Sequence, residues 1–371
     1  MRSKAIPVWT YLPEYKKEKK NIYAAMEKVF TSGRLILGKH VKTFEEKFAK
    51  YCTAQYGIGV NSGTDAIFIA LKTLGIGAGD EVITVPNTAV PTVAAIAATG
   101  ATPVFVEIDP KTYLADTTKI EEKITKRTKC MVPVHLYGQC CDMDRIAKIA
   151  QKHNLYVVED CAQAHGARWK GKIAGSMSDL AAFSFYPTKI LGAYGDAGMI
   201  VTNSKTYTKR ARMLRMYGMD KEYYSNFLGY NSRLDELQAS ILLLKLKRLP
   251  QYIRKRRAIA ERYYQALKST PLKLPYTNPQ SFHAHYLFVC RHEKRDKIIE
   301  YARKHNIELN ISYKYPVHLM DGFGYLGYRQ GDFPLTEKLC DEVFSLPMYP
   351  QLTLGEQNKV IATLKSFFNI S

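Results

Sequence analysis

Lys189 closes the stretch Phe183-Ser184-Phe185-Tyr186-Pro187-Thr188-Lys189, directly ahead of a glycine-rich run, Gly192-Ala193-Tyr194-Gly195-Asp196-Ala197-Gly198. The apolar residues before it read as a buried strand, so the lysine stands at the end of a core element with its amine partly desolvated. An amine so placed can form a Schiff base with a carbonyl, although any single lysine is more often a solvated surface charge. Upstream, Val157-Val158-Glu159-Asp160 ends another apolar run with two carboxylates. A buried aspartate needs a partner. A protonated pyridine nitrogen would be one, and the pair would keep such a ring an electron sink. A helix N-cap role at the turn Cys161-Ala162-Gln163-Ala164 is the alternative.

Asn61-Ser62-Gly63-Thr64-Asp65 follows a third run and opens a helix. Backbone amides at a helix head, with a glycine for close approach, suit a phosphate; Ser62 or Thr64 would equally serve as a plain cap. Ser184 offers a hydroxyl near the strand end that precedes Lys189, or is a satisfied core serine.

The elements that would position these groups follow from the hydrophobic pattern. Strands are expected at Tyr56–Val60, Glu81–Val85, 103–108, 131–136, 155–159, 181–185 and 199–202, with amphipathic helices such as 65–74 and 143–153 between several of them. Such alternation means βαβ units and a mostly parallel sheet covered on both faces. Ligands of such sheets bind at the carboxyl ends of the strands, where Asp160 and Lys189 fall. After about residue 235 the pattern changes to helices at 234–249 and 254–267, a strand near 286–290, and helices near 294–305 and 355–368. This divides the chain into a large domain, 1–250, and a smaller C-terminal α/β domain, 251–371.

The formal charge of +20 makes nucleic acid, anionic membrane and phosphorylated small molecules plausible partners. The basic residues are scattered, however. Their densest groups, Lys16-Lys17-Glu18-Lys19-Lys20 and Arg254-Lys255-Arg256-Arg257, read as solvated helix faces, so neither nucleic acid nor membrane is expected as a partner. Seven cysteines without a CxxC pair or Cys/His cluster point to no metal and to a reducing cytoplasm. Met1-Arg2-Ser3-Lys4-Ala5-Ile6-Pro7 lacks the apolar core of a signal peptide, and 88–106 is broken by Pro91, Gly100 and Pro103 into a helix and a strand.

A helix-opening phosphate cradle, a strand-end aspartate and a strand-end lysine, in that order, match the spacing of aspartate-aminotransferase-type pyridoxal phosphate folds. Glu159–Ala167 (EDCAQAHGA) resembles the EDAAQAHGA motif of the DegT/StrS family of sugar aminotransferases. Phe183–Gly198 resembles its FSFxPxKxLGxxGDGG motif, and Gly229–Ala239 its GxNxRLDxxQAA motif. Ser32-Gly33-Arg34, Asn61–Ala66, Pro133–Gly138 and Pro316–Leu319 add further agreement.

The resemblance implies an aspartate-aminotransferase-like fold with a mostly parallel seven-stranded sheet. It implies that Lys189 carries pyridoxal 5'-phosphate as a Schiff base, with pyridoxamine 5'-phosphate as the alternate form. Asp160 would face the pyridinium nitrogen, Gln163 the phenolic oxygen, and Gly63, Thr64 and Ser184 the phosphate. Asn231 would reach the phosphate of a neighbouring subunit, making a homodimer with shared sites. Arg34, Tyr217, Tyr313, Tyr315 and His318 are the candidates for the substrate. Two departures stand out: Ala89 where relatives place an aromatic residue over the ring, and Cys161 where alanine is usual. The implied reaction moves an amino group from L-glutamate to a keto-6-deoxy sugar on a nucleoside diphosphate, with a 3-keto sugar such as dTDP-3-keto-6-deoxyhexose favoured. A 4-keto sugar is the alternative. Less favoured are a cyclitol, a sugar dehydratase (which replaces the lysine) and a cofactor-binding DNA regulator.

Overall fold

The structure is a computed structural model that describes residues 5–370; Met1–Lys4, part of the stretch inspected for a signal peptide, lie outside it. The seven expected strands form one sheet: β1 (Tyr56–Val60), β2 (Glu81–Thr84), β3 (Thr102–Phe105), β4 (Thr128–Met131), β5 (Tyr156–Asp160), β6 (Leu180–Ser184) and β7 (Gly198–Thr202). Their spatial order is β1-β7-β6-β5-β4-β2-β3. The pairs from β6 to β3 are parallel, and β7 is antiparallel to both its neighbours. The reason is the connection: no helix lies between β6 and β7, so the chain has no crossover and returns beside the strand it left.

Both faces of the sheet are covered, and the strands show it in their alternation. Along β6, Ala181 and Phe183 join one core with Phe44, Phe48 and Met199, while Leu180 and Ala182 join another with Ile58, Ile67 and Ile200. The covering helices include α1 (Leu12–Phe30), α2 (Lys39–Tyr51), α3 (Gly63–Thr73), α4 (Val90–Ala98), α5 (Met143–His153), α6 (Lys205–Leu214) and α7 (Glu236–Leu246). The weakly polar stretch around residues 88–106 is thus α4 followed by β3. Among the described residues no helix is long and apolar enough to cross a membrane.

Two expectations need correction. The fourth strand was placed at 131–136 but pairs over 128–131. Val132 makes one more bond, to the Ile83 carbonyl, and then Pro133, which has no N–H, interrupts the ladder, which resumes only as a single parallel bridge between Val134 and Asp160. Beyond it the chain grips the end of β5: Pro133 O accepts from Asp160 N–H and His135 N–H donates to Asp160 O. The second correction is Arg256, one of four basic residues assigned to a solvated face. It is buried and donates to the carbonyls of Tyr286 and Met348, both at 2.9 Å. Arg254, Lys255 and Arg257 are exposed as expected.

A third core contains Ile6, Ile259, Tyr263, Phe288, Phe344 and Val360. It is built from α8 (Leu249–Leu267), the β8 (Phe288–Arg291) and β9 (Val343–Leu346) pair, and α9 (Arg295–Lys304) and α11 (Leu354–Phe367), while α10 (Pro334–Glu342) packs Leu339 into the first core. The start of α8 packs Leu249, Tyr252 and Ile253 into the first core and its end packs Ile259, Ala260 and Tyr263 into the third. A domain division near residue 250 remains a proposal; this change of core along one helix supports it.

Candidate active site

A cavity of about 330 Å³ opens at the carboxyl ends of β5 and β6, lined by Gly63, Thr64, Asp160, Gln163, Ser184 and Lys189 among others. The head of α3 reaches it because residue 63 is glycine: a Cβ there would lie 2.5 Å from Ser184 Cβ. Ser62 caps the helix by accepting from Asp65 N–H at 3.1 Å. The amides of Gly63 and Thr64, in the first turn, have no intrahelical acceptor. Ser232 ties a distant loop to this head, donating to Asp65 Oδ2 (2.6 Å) and accepting from Asn61 N–H (3.1 Å).

The two carboxylates that end β5 have opposite fates because strand side chains alternate. Glu159 turns into the protein and accepts from His135 Nε2 (3.0 Å), Gly175 N–H (2.9 Å), Met177 N–H (2.8 Å) and Ser178 Oγ (2.8 Å). Burial acts to raise its pKa, but these bonds together hold it below the ordinary glutamate value. Cys141 N–H donates to His135 Nδ1 at 3.2 Å, which leaves the Nε2 proton for Glu159. Asp160 turns to the cavity, with Oδ1 accepting from Ala162 N–H (3.0 Å) and Oδ2 from Thr92 Oγ1 (2.8 Å). Its pKa is raised, chiefly by burial, against the opposing pull of Ala162, Thr92 and the Lys189 charge. A buried carboxylate with only two neutral donors still wants a cation.

Lys189 sits in the turn after β6, its N–H bonded to Tyr186 O at 2.8 Å. Gln163 is held at both ends of its amide: Oε1 accepts from Tyr137 N–H (2.8 Å) and Nε2 donates to the Tyr313 hydroxyl (2.5 Å). Ala89 lines the cavity with Pro91 and Thr92, and Cys161 is a buried thiol whose pKa burial pushes well above its ordinary value, so it is no nucleophile. Thr92 was passed over in the sequence. Its signal is the spacing from Thr88, one helical turn earlier, whose hydroxyl it meets at 2.9 Å.

Six candidate residues do not line this cavity, and one of them, Tyr313, meets it only through its bond to Gln163. Asn231, Arg34, Tyr217 and Tyr315 are exposed. His318 is enclosed beside Phe105 and Phe333, with Nε2 3.1 Å from Glu337 Oε1.

The family model for DegT/DnrJ/EryC1/StrS aminotransferases matches residues 16–365. The chain belongs to the DegT/DnrJ/EryC1/StrS aminotransferase family. It is 51% identical to the dTDP-3-amino-3,4,6-trideoxy-alpha-D-glucose transaminase of Micromonospora megalomicea subsp. nigra, over 96% of this chain and 97% of the relative. It is 46% identical to the dTDP-3-amino-3,6-dideoxy-alpha-D-galactopyranose transaminase of Aneurinibacillus thermoaerophilus, over 94% and 95%. The crystal structure of DesV from S. venezuelae superposes with a TM-score of 0.97 at 39% identity, covering 98% of this chain and 99% of that one. Like other members of this aminotransferase family, the protein is a pyridoxal phosphate enzyme of fold type I; solved relatives carry pyridoxal or pyridoxamine phosphate.

The cavity of this aminotransferase fits that cofactor. Among the described residues it presents an amine without an ion pair and a buried carboxylate short of a cation, beside a helix head brought close by a glycine that tolerates no Cβ. Pyridoxal phosphate, when bound, supplies an electron sink for negative charge developing at a carbon that bears nitrogen.

Proposed function

We propose that this aminotransferase transfers the amino group of L-glutamate to a 3-keto-6-deoxy sugar linked to a nucleoside diphosphate. The observation that carries the reading is the convergence of Lys189, Asp160 and the head of α3 on one cavity. In it, Lys189 anchors the cofactor, Asp160 balances the pyridinium nitrogen, Gln163 bonds the phenolic oxygen, and Gly63, Thr64 and Ser184 hold the phosphate. Once released, the Lys189 amine holds and moves the proton between the reacting carbons. The retained lysine speaks against dehydration. The 3-keto preference is supported by relatives at 51% and 46% identity that are named for 3-amino sugars.

We also propose a homodimer in which Asn231 completes the partner's phosphate site. Asn231 is exposed on the loop that Ser232 ties to α3, beside the exposed Tyr223, Tyr224 and Leu228. Tyr217 N–H donates to Tyr230 O at 3.0 Å, and Glu236 N–H to Leu35 O at 3.2 Å. The first bond sets Tyr217 beside the Asn231 loop and the second sets the segment after Arg34 against the start of α7; all three residues would serve the partner's sugar nucleotide. Tyr313 and Tyr315 remain candidates from the same chain. His318 is better read as packing. Seven buried free thiols favour a reducing cytoplasm.

Purified enzyme with L-glutamate and a panel of nucleotide-linked 3-keto and 4-keto sugars tests the reading. Mass spectrometry detects amination and NMR locates the nitrogen. Amination confined to the 4-keto sugars, or absent, would overturn it.

A further inference from the structure

Lys189 has one contact that the proposed chemistry does not yet use. Its Nζ lies 4.9 Å from the centroid of the Tyr286 ring. That is within cation–π range. The charged groups that share its cavity are Asp160, from the end of β5, and Asp196, from the glycine-rich loop; among the described residues neither forms an ion pair with it. The ring face is therefore the contact that locates the free amine.

Tyr286 is itself held at both ends. Its hydroxyl lies 3.1 Å from Thr188 Oγ1, on the residue just before the lysine. Its carbonyl accepts from the buried Arg256 guanidinium at 2.9 Å. The same Arg256 nitrogen donates to Met348 O, so α8 and the end of β9 are clamped together with it. A ring anchored in this way stays put when the lysine moves. Its 8% exposure also keeps water from the face that the ammonium meets.

We propose that Tyr286 is a positioning residue: its ring is the perch that receives the Lys189 amine whenever that amine is not bonded to the cofactor. The perch would hold the released amine near the reacting carbon for proton transfer and keep it out of bulk water. The proposal rests on Lys189 being the Schiff-base lysine, but not on which sugar is aminated.

The decisive measurement uses the cofactor-free protein. Position 286 is occupied by phenylalanine or by phenylalanines of increasing ring fluorination, which keep shape while weakening the negative face. Acetylation of Lys189 by a limiting neutral reagent is then followed by peptide mass spectrometry, with exposed lysines as internal standards. Labelling of Lys189 should rise steadily with fluorine number, reaching about three- to thirty-fold over the unfluorinated ring. A flat series overturns the proposal. A second measurement follows the glutamate half-reaction by absorbance with protiated and α-deuterated glutamate. Tyr286→Phe should stay within about threefold of the parent, whereas Tyr286→Met should slow the reaction by about 10²-fold and enlarge the isotope effect. Equal rates and isotope effects in the parent and Tyr286→Met would also overturn it. Failure of Lys189 to bind cofactor at all would instead sink the proposed function, a distinct outcome.

Discussion

Gly63→Ala tests how the cavity is built. Gly63 opens α3, and its backbone does not need positive φ, so the substitution acts through space alone. The new Cβ would meet Ser184 Cβ at 2.5 Å, Ser184 Oγ at 3.0 Å and Ser184 Cα at 3.1 Å, where ordinary contact begins near 3.4 Å. Helix head and strand must therefore separate by about 0.9 Å, an overpacking strain of roughly 1–3 kcal/mol. The helix dipole and the two free amides retreat together from wherever the phosphate sits. A misplacement of that size costs on the order of 10²-fold in turnover. Three readouts apply: absorbance titration of the cofactor-free variant with pyridoxal phosphate, a melting curve, and kcat/KM. Weakened cofactor affinity, a lower Tm and reduced kcat/KM are expected. Gly355→Ala is the control, because its Cβ would meet nothing within 4 Å, and it should change none of them. Gly63→Ala with Ser184→Gly should recover part of the lost stability by removing the opposing Cβ. Wild-type cofactor affinity and turnover in Gly63→Ala would refute the reasoning that close approach of this helix head forms the phosphate site.

Asp160→Asn keeps Oδ1 as an acceptor for Ala162 N–H and reverses the Thr92 contact, its Nδ2 donating to Thr92 Oγ1, but removes the charge, so folding should survive while kcat falls on the order of 10²- to 10³-fold; near-normal kcat would deny the aspartate its electrostatic role. Lys189→Ala should abolish both the visible absorbance of the bound cofactor and its bleaching by glutamate, and full turnover in this variant would end the Schiff-base reading. Acid should destabilise the fold through buried histidines. Burial, then nearby Lys189 and Arg256, pulls His165 down to about 3, and burial, then Arg257 and Arg256, does the same to His285. A histidine depressed in the folded state contributes stability above its unfolded value near 6.5, and that stability is lost progressively as pH falls toward 3. The slope is up to about 1.4 kcal/mol per pH unit for each group. Urea unfolding at several pH values should show this, and His165→Leu, which suits a site beside Phe48, Phe183 and Phe185, should flatten the slope by one such share; an unchanged slope would contradict it.

Much of the site could be read in order along the chain, because each part sits just beyond a strand with a strong pattern of its own. The apolar run Ala181–Phe185 announces β6 whatever lies around it, and residues that follow strands of a parallel sheet share one edge. Lys189, Asp160, Ser184 and the Gly63-Thr64 pair were legible for that reason as residues of one cavity, whereas Gln163 came only from the resemblance to the family motif. The limit of β4 was not legible, since Val132–Leu136 has the composition of a strand and the missing N–H of Pro133 interrupts the ladder within it. Arg256 was equally hidden, because a run of four basic residues on a helix carries no mark of which one turns inward.

The amino-acid sequence by itself determined the sheet, the order of the chemistry along it and the family. These depend on periodicity and on short contiguous motifs, both local properties of the chain. Only the tertiary structure gave the reason why Asp160, and not its neighbour Glu159, faces the cavity. Four donors from two segments, His135 and residues 175–178, claim Glu159, and strand alternation then turns Asp160 the other way. It alone also brought Tyr286 from the far side of the chain to Lys189, and enclosed His318 in packing beside Phe105 and Phe333. Contacts between residues on different elements are set by how whole elements stack, and no local pattern records them.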